Sequence, residues 1–153
     1  MPGLEYVKFD QIDPAELLPI LNKQKVRQHL MEHTLFDEEM LQEWLASKGA
    51  MDASSGCKLR VIKLEEQLAG WCGIQIEDGQ YELAIVLDDE YWGLGKQIFK
   101  DMMSWAKTLG HETLFIHFLH TRPEYRFLRK ISRRVFENEL YGHRFITYEL
   151  VVK

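Results

Sequence analysis

The sequence contains little cysteine and no excess of positive charge. Cys57 and Cys72 are the only cysteines, and neither belongs to a CxxC pair or a spaced Cys/His set, so neither a disulfide framework nor a metal site is indicated. The net charge is -5 and the pI is about 5.7, whereas general nucleic-acid and membrane-surface binders carry an excess of Lys and Arg. Any anion-binding site must therefore be local.

Long apolar runs are also absent. No run approaches the roughly 18 residues that span a bilayer, and the N-terminal stretch MPGLEYVKFDQIDP lacks the basic and apolar regions of a signal peptide. The chain does have 153 residues that are 46% hydrophobic and 12% aromatic, enough to build a core without disulfides or metals. We expect one soluble, reduced, cytoplasmic domain spanning residues 1–153.

Hydrophobic spacing and turn residues predict alternating strands and helices. The predicted strands are residues 4–9, 58–64, 67–77, 80–87, 113–119 and 144–152, and the predicted helices are residues 14–30, 34–48, 94–110 and 123–136. Residues 50–57 are typical of a loop, and Asp78-Gly79 is the strongest hairpin signal. The order β-α-α-β-β-β-α-β-α-β, with room for one more strand, predicts an α/β (α+β) domain. Its mixed, mostly antiparallel sheet would have about six or seven strands flanked by helices.

The most informative stretch is the hexapeptide from Trp92 to Gln97 (WGLGKQ). It lies between an apolar strand, residues 81–87, and a helix in which Leu94, Ile98 and Met102 recur at helical spacing. The first N–H groups of a helix lack partners within the helix, and glycines let an anion come close to them. The hexapeptide therefore predicts a diphosphate-sized site. An ordinary strand-to-helix loop that needs glycine for its geometry is the alternative.

The segment ELAIVLDDEYWGLGKQIFKDMMSWAKTLG and the order of elements resemble the Gcn5-related N-acetyltransferase (GNAT) superfamily. The acetyl-coenzyme A motif of that superfamily is Q/R-x-x-G-x-G/A, and Trp92, Gly95 and Gln97 occupy its three named positions. The runs 87–93 (LDDEYWG) and 25–30 (KVRQHL) look like the ribosomal-protein alanine acetyltransferase (RimJ/RimL-like) branch. The resemblance extends over nearly the whole chain.

The resemblance implies acetyl-coenzyme A as cosubstrate, without a metal. The acyl-pantetheine arm would pair with the strand at Ile85, Val86 and Leu87 like an added strand. The pyrophosphate would lie on the start of the next helix, and the implied residues are Trp92, Gly93, Leu94, Gly95, Lys96, Gln97 and Ile98. Gln97 is bulkier than the Gly or Ala that the superfamily prefers at this position, which argues against close contact with a phosphate there. A second motif region begins at Thr121, which we include among the cofactor-binding residues.

The implied reaction is direct transfer of an acetyl group to a primary amine of a small molecule or a protein N-terminus. Glu82 is our choice of general base, because the superfamily often places a carboxylate on this strand; a Glu on the solvent side of the strand is the alternative. His117 and His120 are alternative bases or structural residues. Leu128 replaces the Tyr that often serves as general acid, so either the thiolate leaves unaided, or Tyr125 substitutes, or catalysis is lost.

Six cations occur between Arg122 and Arg134, and residues 126, 129, 130 and 133 would share one face of the predicted helix. A solvated face is the usual meaning of such a run. Arg126 and Lys130 are the candidates for the adenosine 3'-phosphate of coenzyme A. An RNA contact is less favoured, because aromatic residues are not interleaved on that face.

The alternative to an active enzyme is an idle acyl-coenzyme A-binding or regulatory domain. We expect an amine-bearing substrate, no membrane partner, no nucleic-acid partner, and a monomer or homodimer.

Overall fold

The computed structural model describes residues 3–23, 35–121, 125–140 and 142–152. Within these ranges the chain forms one sheet of seven strands with four α-helices. The strands are β1 (Leu4–Val7), β2 (Lys58–Leu64), β3 (Gln67–Glu77), β4 (Gln80–Leu87), β5 (Thr113–Leu119), β6 (Ser132–Leu140) and β7 (His143–Val151). The helices are α1 (Pro14–Asn22), α2 (Glu38–Asp52), α3 (Gly95–Thr108) and α4 (Arg126–Lys130).

The strand order in the sheet is β1-β2-β3-β4-β5-β7-β6, and only the β4–β5 pair is parallel. Strands β2, β3 and β4 form a meander whose tight turns lie at Glu65-Glu66 and Asp78-Gly79, with positive φ at all four residues. The parallel pair requires a crossover connection, which α3 supplies. The structure confirms the predicted hairpins and the mixed, mostly antiparallel sheet.

The two faces of the sheet pack against different helices. Successive side chains on a strand point to opposite faces, so Trp71 and Cys72 belong to separate cores. On one face, α1 and α2 cover the first four strands; this core comprises Phe9, Leu17, Ile20, Leu21, Leu41, Leu59, Val61, Leu68, Trp71 and Val86. On the other face, Ile98 and Met102 of α3 and Leu128 of α4 pack on the middle strands. The inert, buried Cys72 lies there, and burial raises the pKa of its thiol.

The boundaries of the first two helices differ from the prediction. The described part of α1 ends at Asn22, and the remaining predicted residues, including the motif-like run 25–30, lie outside the described residues. The second helix begins at Glu38 rather than at residue 34, because the Asp37 side chain accepts a hydrogen bond from the Met40 N–H at 2.8 Å. It continues past Gly49 to Asp52, so part of the predicted loop is helical.

The predicted helix over residues 123–136 is too long. The described chain has only a short helix, Arg126–Lys130, and then the edge strand β6, which pairs with β7 as far as Leu140 and His143. A bulge at the start of β6 turns Arg133 and Arg134 toward the same carboxylate, Glu149, at 3.1 and 3.0 Å. The expected cationic helix face therefore does not exist, because Arg133 belongs to a strand.

Candidate active site

The parallel strands β4 and β5 part from one another in the middle of the sheet. Their pairing covers only Glu82 with Phe115 and Leu83 with Ile116. Both strands continue beyond these pairs, to Leu87 and to Leu119. An open gap therefore lies beside the second half of β4, with its closed end at Leu83.

The backbone of β4 presents hydrogen-bonding groups to this gap. The Val86 carbonyl faces β3, because a Cβ placed on Gly70 would lie 1.9 Å from it, and the Asp88 N–H donates to the Ala69 carbonyl at 2.8 Å. Since the direction of these groups alternates along a strand, the N–H and C=O groups of Ile85 and Leu87 face the gap. The indole Nε1 of Trp92 donates to the Leu87 carbonyl at 3.1 Å. An extended ligand has an edge to pair with at Ile85 and at the Leu87 N–H.

The glycine-rich hexapeptide lies at the open end of the gap. It is helical rather than a loop: a 3-10 helix, Asp89–Leu94, leads directly into α3 at Gly95. Neither Gly93 nor Gly95 has a positive φ. A Cβ on Gly93 would meet nothing within 4 Å, and one on Gly95 would meet only a Leu87 methyl group at 4.0 Å. Neither backbone conformation nor internal packing requires these glycines, so they leave space beside the helix start that suits a phosphate group.

The side chain of Gln97 points away from that space. Its amide donates to Asp101 Oδ1 at 3.1 Å, and the other oxygen of Asp101 accepts a hydrogen bond from the Tyr6 hydroxyl. Gln97, which replaces the Gly or Ala of the superfamily motif, is therefore directed along α3 toward β1. Lys96 is exposed, with its ammonium 5.8 Å from the centre of the Phe127 ring in α4.

Lys23, at the end of α1, binds the segment that follows β4. Its ammonium lies 2.7 Å from Asp88 and 2.6 Å from Asp89, and these hydrogen bonds raise the pKa of Lys23. Lys23 was not among the predicted site residues. It joins the start of the 3-10 helix to α1, so the glycine-rich segment is held from both sides of the sheet.

A row of polar side chains crosses the sheet at the closed end of the gap. Glu82 Oε2 on β4 lies 3.1 Å from His117 Nε2 on β5, and both side chains are only 16% exposed. On β3, the Gln75 amide donates to the other oxygen of Glu82 at 2.9 Å. On the far side, His117 Nδ1 lies 2.7 Å from the Thr147 hydroxyl of β7, which donates to Asn138 of β6 at 2.6 Å. The structure thus joins two of the three predicted catalytic residues, Glu82 and His117.

Residues 4–124 match the Acetyltransferase (GNAT) domain family. The chain belongs to this family. Solved structures share the fold over nearly the whole chain: a RimL ribosomal L7/L12 α-N-protein acetyltransferase in complex with coenzyme A has a TM-score of 0.73 at 15% identity, covering 99% of this chain and 96% of that one. An acetyl transferase of Salmonella typhimurium, which modifies the N-terminal serine of the 50S ribosomal subunit protein L7/L12, has a TM-score of 0.72 at 16% identity, covering 98% and 94%.

A third GNAT-like structure is yncA from Salmonella typhimurium, solved with acetyl-coenzyme A. Its TM-score is 0.68 at 12% identity, and the match covers 99% of this chain and 95% of that one. At such identities the likeness concerns the fold. No curated protein sequence matches the chain.

The third predicted catalytic residue of this GNAT domain, Tyr125, lies on the other face of the sheet. It precedes α4, its ring centre is 5.0 Å from that of Phe118, and its N–H donates to the Tyr148 hydroxyl at 3.3 Å. Phe118 and His117 are adjacent on β5, so their side chains point to opposite faces. Tyr125 is therefore not part of the Glu82–His117 row but flanks the sheet from the α3 side. Leu128 is buried in the core at 1% exposure.

The remaining predicted cofactor residues are exposed. Thr121 follows β5, and Arg126 and Lys130 lie at the two ends of α4. His120 is held by the Arg144 carbonyl, which lies 3.1 Å from its ring nitrogen and 3.1 Å from its N–H. These contacts favour a structural role for His120.

Lys48 of α2 was not foreseen as part of the site. Its ammonium donates to Gln75 at 2.9 Å and lies over the rings of Trp71 and Trp44, 4.4 and 5.4 Å from their centres. Burial lowers the pKa of Lys48, with Glu77 and Glu82 opposing that effect. Hairpin geometry was the available signal for Gln75, because counting back from the Asp78-Gly79 turn pairs it with Glu82.

Two further features concern ions and membranes. Among the residues that the structure describes, no group of three or more His, Cys, Asp or Glu side chains is placed to hold a metal ion. None of the described helices has the length and apolar character that a membrane crossing requires.

Proposed function

We propose that this GNAT domain transfers an acetyl group from acetyl-coenzyme A to a primary amine in one direct step. The observation that carries the proposal is the position of the Glu82–His117 pair, 3.1 Å apart at the closed end of the gap between β4 and β5. The open end of the same gap leads to the glycine-lined start of α3. A proton acceptor and a backbone edge that an extended ligand could pair with therefore lie along one strand.

The residues of the groove fit coenzyme A in three places. The Ile85 backbone and the Leu87 N–H would pair with the pantetheine arm, while Val86 is turned toward β3. The N–H groups from Gly93 to Ile98 would hold the pyrophosphate. Lys96, Arg126 and Lys130 are exposed cations near this end and would serve the adenosine 3'-phosphate. The RimL and yncA structures, which contain coenzyme A and acetyl-coenzyme A, support this placement by their fold.

Acetyl-coenzyme A would supply the thioester, and side chains of this chain would accept and donate the protons. The amine nitrogen forms a bond to the acyl carbon, the carbon–sulfur bond breaks, and the amine proton passes to the Glu82–His117 pair. Tyr125 would protonate the departing thiolate from the opposite face of the sheet. A thiol is a good leaving group, so this acid assists the reaction but is not essential to it.

The acceptor amine we propose is a protein N-terminus or a small primary amine. One RimL-like relative modifies the N-terminal serine of a ribosomal protein, which makes short peptides with free N-termini the first substrates to try. The cytoplasmic location and the monomeric or homodimeric state remain predictions.

The test combines cofactor binding with turnover. Calorimetric titration with coenzyme A measures binding, and release of free thiol from acetyl-coenzyme A with a panel of peptides and small amines measures transfer. We expect Glu82→Gln and His117→Ala to lower kcat by about 100-fold while leaving coenzyme A affinity unchanged. Transfer that is unaffected by either substitution would contradict the assigned base.

A coenzyme A-binding domain without catalysis is the second candidate. The observation that favours it is Leu128, which is buried and brings no hydroxyl to the position where the superfamily often has Tyr. Saturable coenzyme A binding without thiol release for any amine would support this candidate and reject the enzyme.

A further inference from the structure

We infer that Thr147 and Asn138 are positioning residues that keep a proton on Nδ1 of His117, so that Nε2 is the atom that accepts the proton of the amine. For its effect on rate, this inference rests on the proposed acetyl transfer. The location of the proton is a property of the protein alone and is measurable without any substrate.

The direction of the hydrogen bonds follows from counting protons. The Thr147 hydroxyl has one proton, which it donates to Asn138 Oδ1 at 2.6 Å. Its oxygen is then an acceptor toward His117 Nδ1, 2.7 Å away, so the hydrogen between them belongs to the histidine. An amide oxygen has no proton to pass on, so the chain ends at Asn138. It orients the ring but does not conduct protons.

The consequence appears at the other ring nitrogen. With Nδ1 protonated, the neutral ring has a lone pair on Nε2, facing Glu82 Oε2 at 3.1 Å. The Nε2 lone pair and the Glu82 carboxylate thus face one site, and the proton that leaves the amine can be received there. If the neutral ring instead carried its proton on Nε2, that atom would already be filled and only Glu82 would remain to accept. The Thr147–Asn138 couple therefore makes the pair a two-atom proton acceptor.

The surroundings of the couple hold this arrangement firmly. Thr147 is fully buried, and the His117 ring lies parallel to Phe115, with 4° between the ring planes and 6.4 Å between centres. The couple lies on β6 and β7, whose antiparallel register sets its geometry. Among its described residues, this hairpin supplies only these two groups to the row of polar side chains.

Two other charged groups that the structure describes near the row have partners of their own. Glu149 of β7 is bound by Arg133 and Arg134. Lys48 of α2 is separated from Glu82 by Gln75, to which it donates a hydrogen bond. The group that faces Nε2 directly is Glu82.

The decisive measurement is nitrogen NMR of the 15N-histidine-labelled full chain without ligand, with His117→Gln used to assign the signal. We expect Nδ1 of His117 to be protonated throughout the neutral range. Asn138→Asp should preserve this state, because a carboxylate accepts a hydrogen bond from Thr147 as the amide oxygen does. Thr147→Val removes the hydroxyl that accepts from Nδ1, so the proton should no longer be fixed on that nitrogen. Thr147→Ser, the matched control, keeps the hydroxyl and should keep Nδ1 protonated. An Nδ1 that is unprotonated in the wild type, or that loses its proton in Asn138→Asp, would overturn the inference.

Kinetics add a readout that a purely structural role would not change. In Thr147→Val we expect kcat to fall about tenfold and the acid side of the pH–rate profile to shift, with the KM for acetyl-coenzyme A unchanged. Thr147→Ser and Asn138→Asp should retain most of the rate. If no amine is acetylated, the proposed function fails while the NMR result still decides the proton position. If transfer occurs and Thr147→Val keeps the wild-type profile, the positioning role fails.

Discussion

Gln75 and Glu82 lie opposite each other on β3 and β4, and the Gln75 amide donates to Oε1 of the carboxylate at 2.9 Å. This bond leaves Oε2 for His117. A neutral amide orients the carboxylate without neutralising its charge, so Glu82 keeps its capacity to accept a proton. The same Gln75 accepts a hydrogen bond from the half-buried ammonium of Lys48, which connects α2 to the site.

Replacing Gln75 should therefore affect both stability and turnover. In Gln75→Leu, the Glu82 carboxylate loses a donor and the Lys48 ammonium loses its acceptor, so the free energy of unfolding should fall by about 1–3 kcal/mol. Acetyl transfer should also slow, because Oε1 is no longer held. Gln67→Leu, at the exposed start of the same strand, is the matched control and should change neither quantity. Urea denaturation and thiol-release assays measure the two effects. A Gln75→Leu protein as stable as the wild type would show that the hydrogen bonds of Gln75 to Glu82 and Lys48 do not stabilise the fold.

A second prediction concerns the glycines at the start of α3. Because a Cβ on Gly93 meets nothing inside the chain, Gly93→Ala should leave the free energy of unfolding unchanged or slightly raised. Its methyl group would occupy the space assigned to the pyrophosphate, so coenzyme A affinity should fall by about tenfold, or about 1.4 kcal/mol. Calorimetric titration with coenzyme A makes this comparison.

Gly49→Ala is the control for the glycine experiment. Gly49 lies inside α2, and its Cβ also meets nothing within 4 Å. The substitution should stabilise the protein by about 0.5–1 kcal/mol, because alanine is the better helix former, without changing coenzyme A affinity. Equal cofactor affinity in both alanine variants would locate the pyrophosphate elsewhere.

Unlike Gly93 and Gly49, Gly70 lies where the fold has no room for a side chain. It has a φ of 153°, and a Cβ would lie 1.9 Å from the Val86 carbonyl oxygen, which belongs to rigid strand backbone. We expect Gly70→Ala to destabilise the fold by about 3 kcal/mol or more, because β3 and β4 must move apart. Thermal denaturation tests this, and an unchanged midpoint would show that the two strands adapt easily. The displacement would also disturb the backbone edge at Ile85 and Leu87.

The sequence was sufficient to place the central strands but not the edge strand β6. The bounds of β2, β3, β4 and β5 agree with the prediction, because alternation, apolar content and the Asp78-Gly79 turn all act locally. The cations that precede and enter β6 recur at helical spacing from Arg126 to Arg133. The strand itself has polar residues such as Glu137 and Glu139 on its exposed side, so no apolar alternation reveals it. Pairing with β7, a tertiary interaction, decides its structure.

The same limit applies to the site. Glu82 and His117 were identifiable as chemical groups on predicted strands, and the Asp78-Gly79 hairpin contained enough information to add Gln75. Thr147 and Asn138 were not identifiable, because their contact with His117 depends on the order and register of β5, β7 and β6, which are set by long-range pairing. Residue types alone do not determine that register.

The last prediction concerns the hydrogen bond that fastens α3 to β1. The Tyr6 hydroxyl donates to Asp101, whose other oxygen accepts from Gln97. At pH 7, Tyr6→Phe should lower the free energy of unfolding by about 1–2 kcal/mol, because a carboxylate loses its donor. Burial, and then Asp101, raise the pKa of Tyr6 above its ordinary value of 10.0. The folded protein therefore holds the phenol proton at a pH where the unfolded chain releases it.

This difference sets the pH dependence of the bond. Below about pH 10 the tyrosine is protonated in both states, so its full contribution is present. Above about pH 10 ionisation favours the unfolded chain, and the advantage of the wild type over Tyr6→Phe should shrink steadily. Urea midpoints of both proteins at pH 7 and at several values between about 9 and 11 measure this trend, since the other tyrosines contribute equally to each protein. A difference that stays constant or grows with alkaline pH would show that Tyr6 ionises in the folded state as readily as in the unfolded chain.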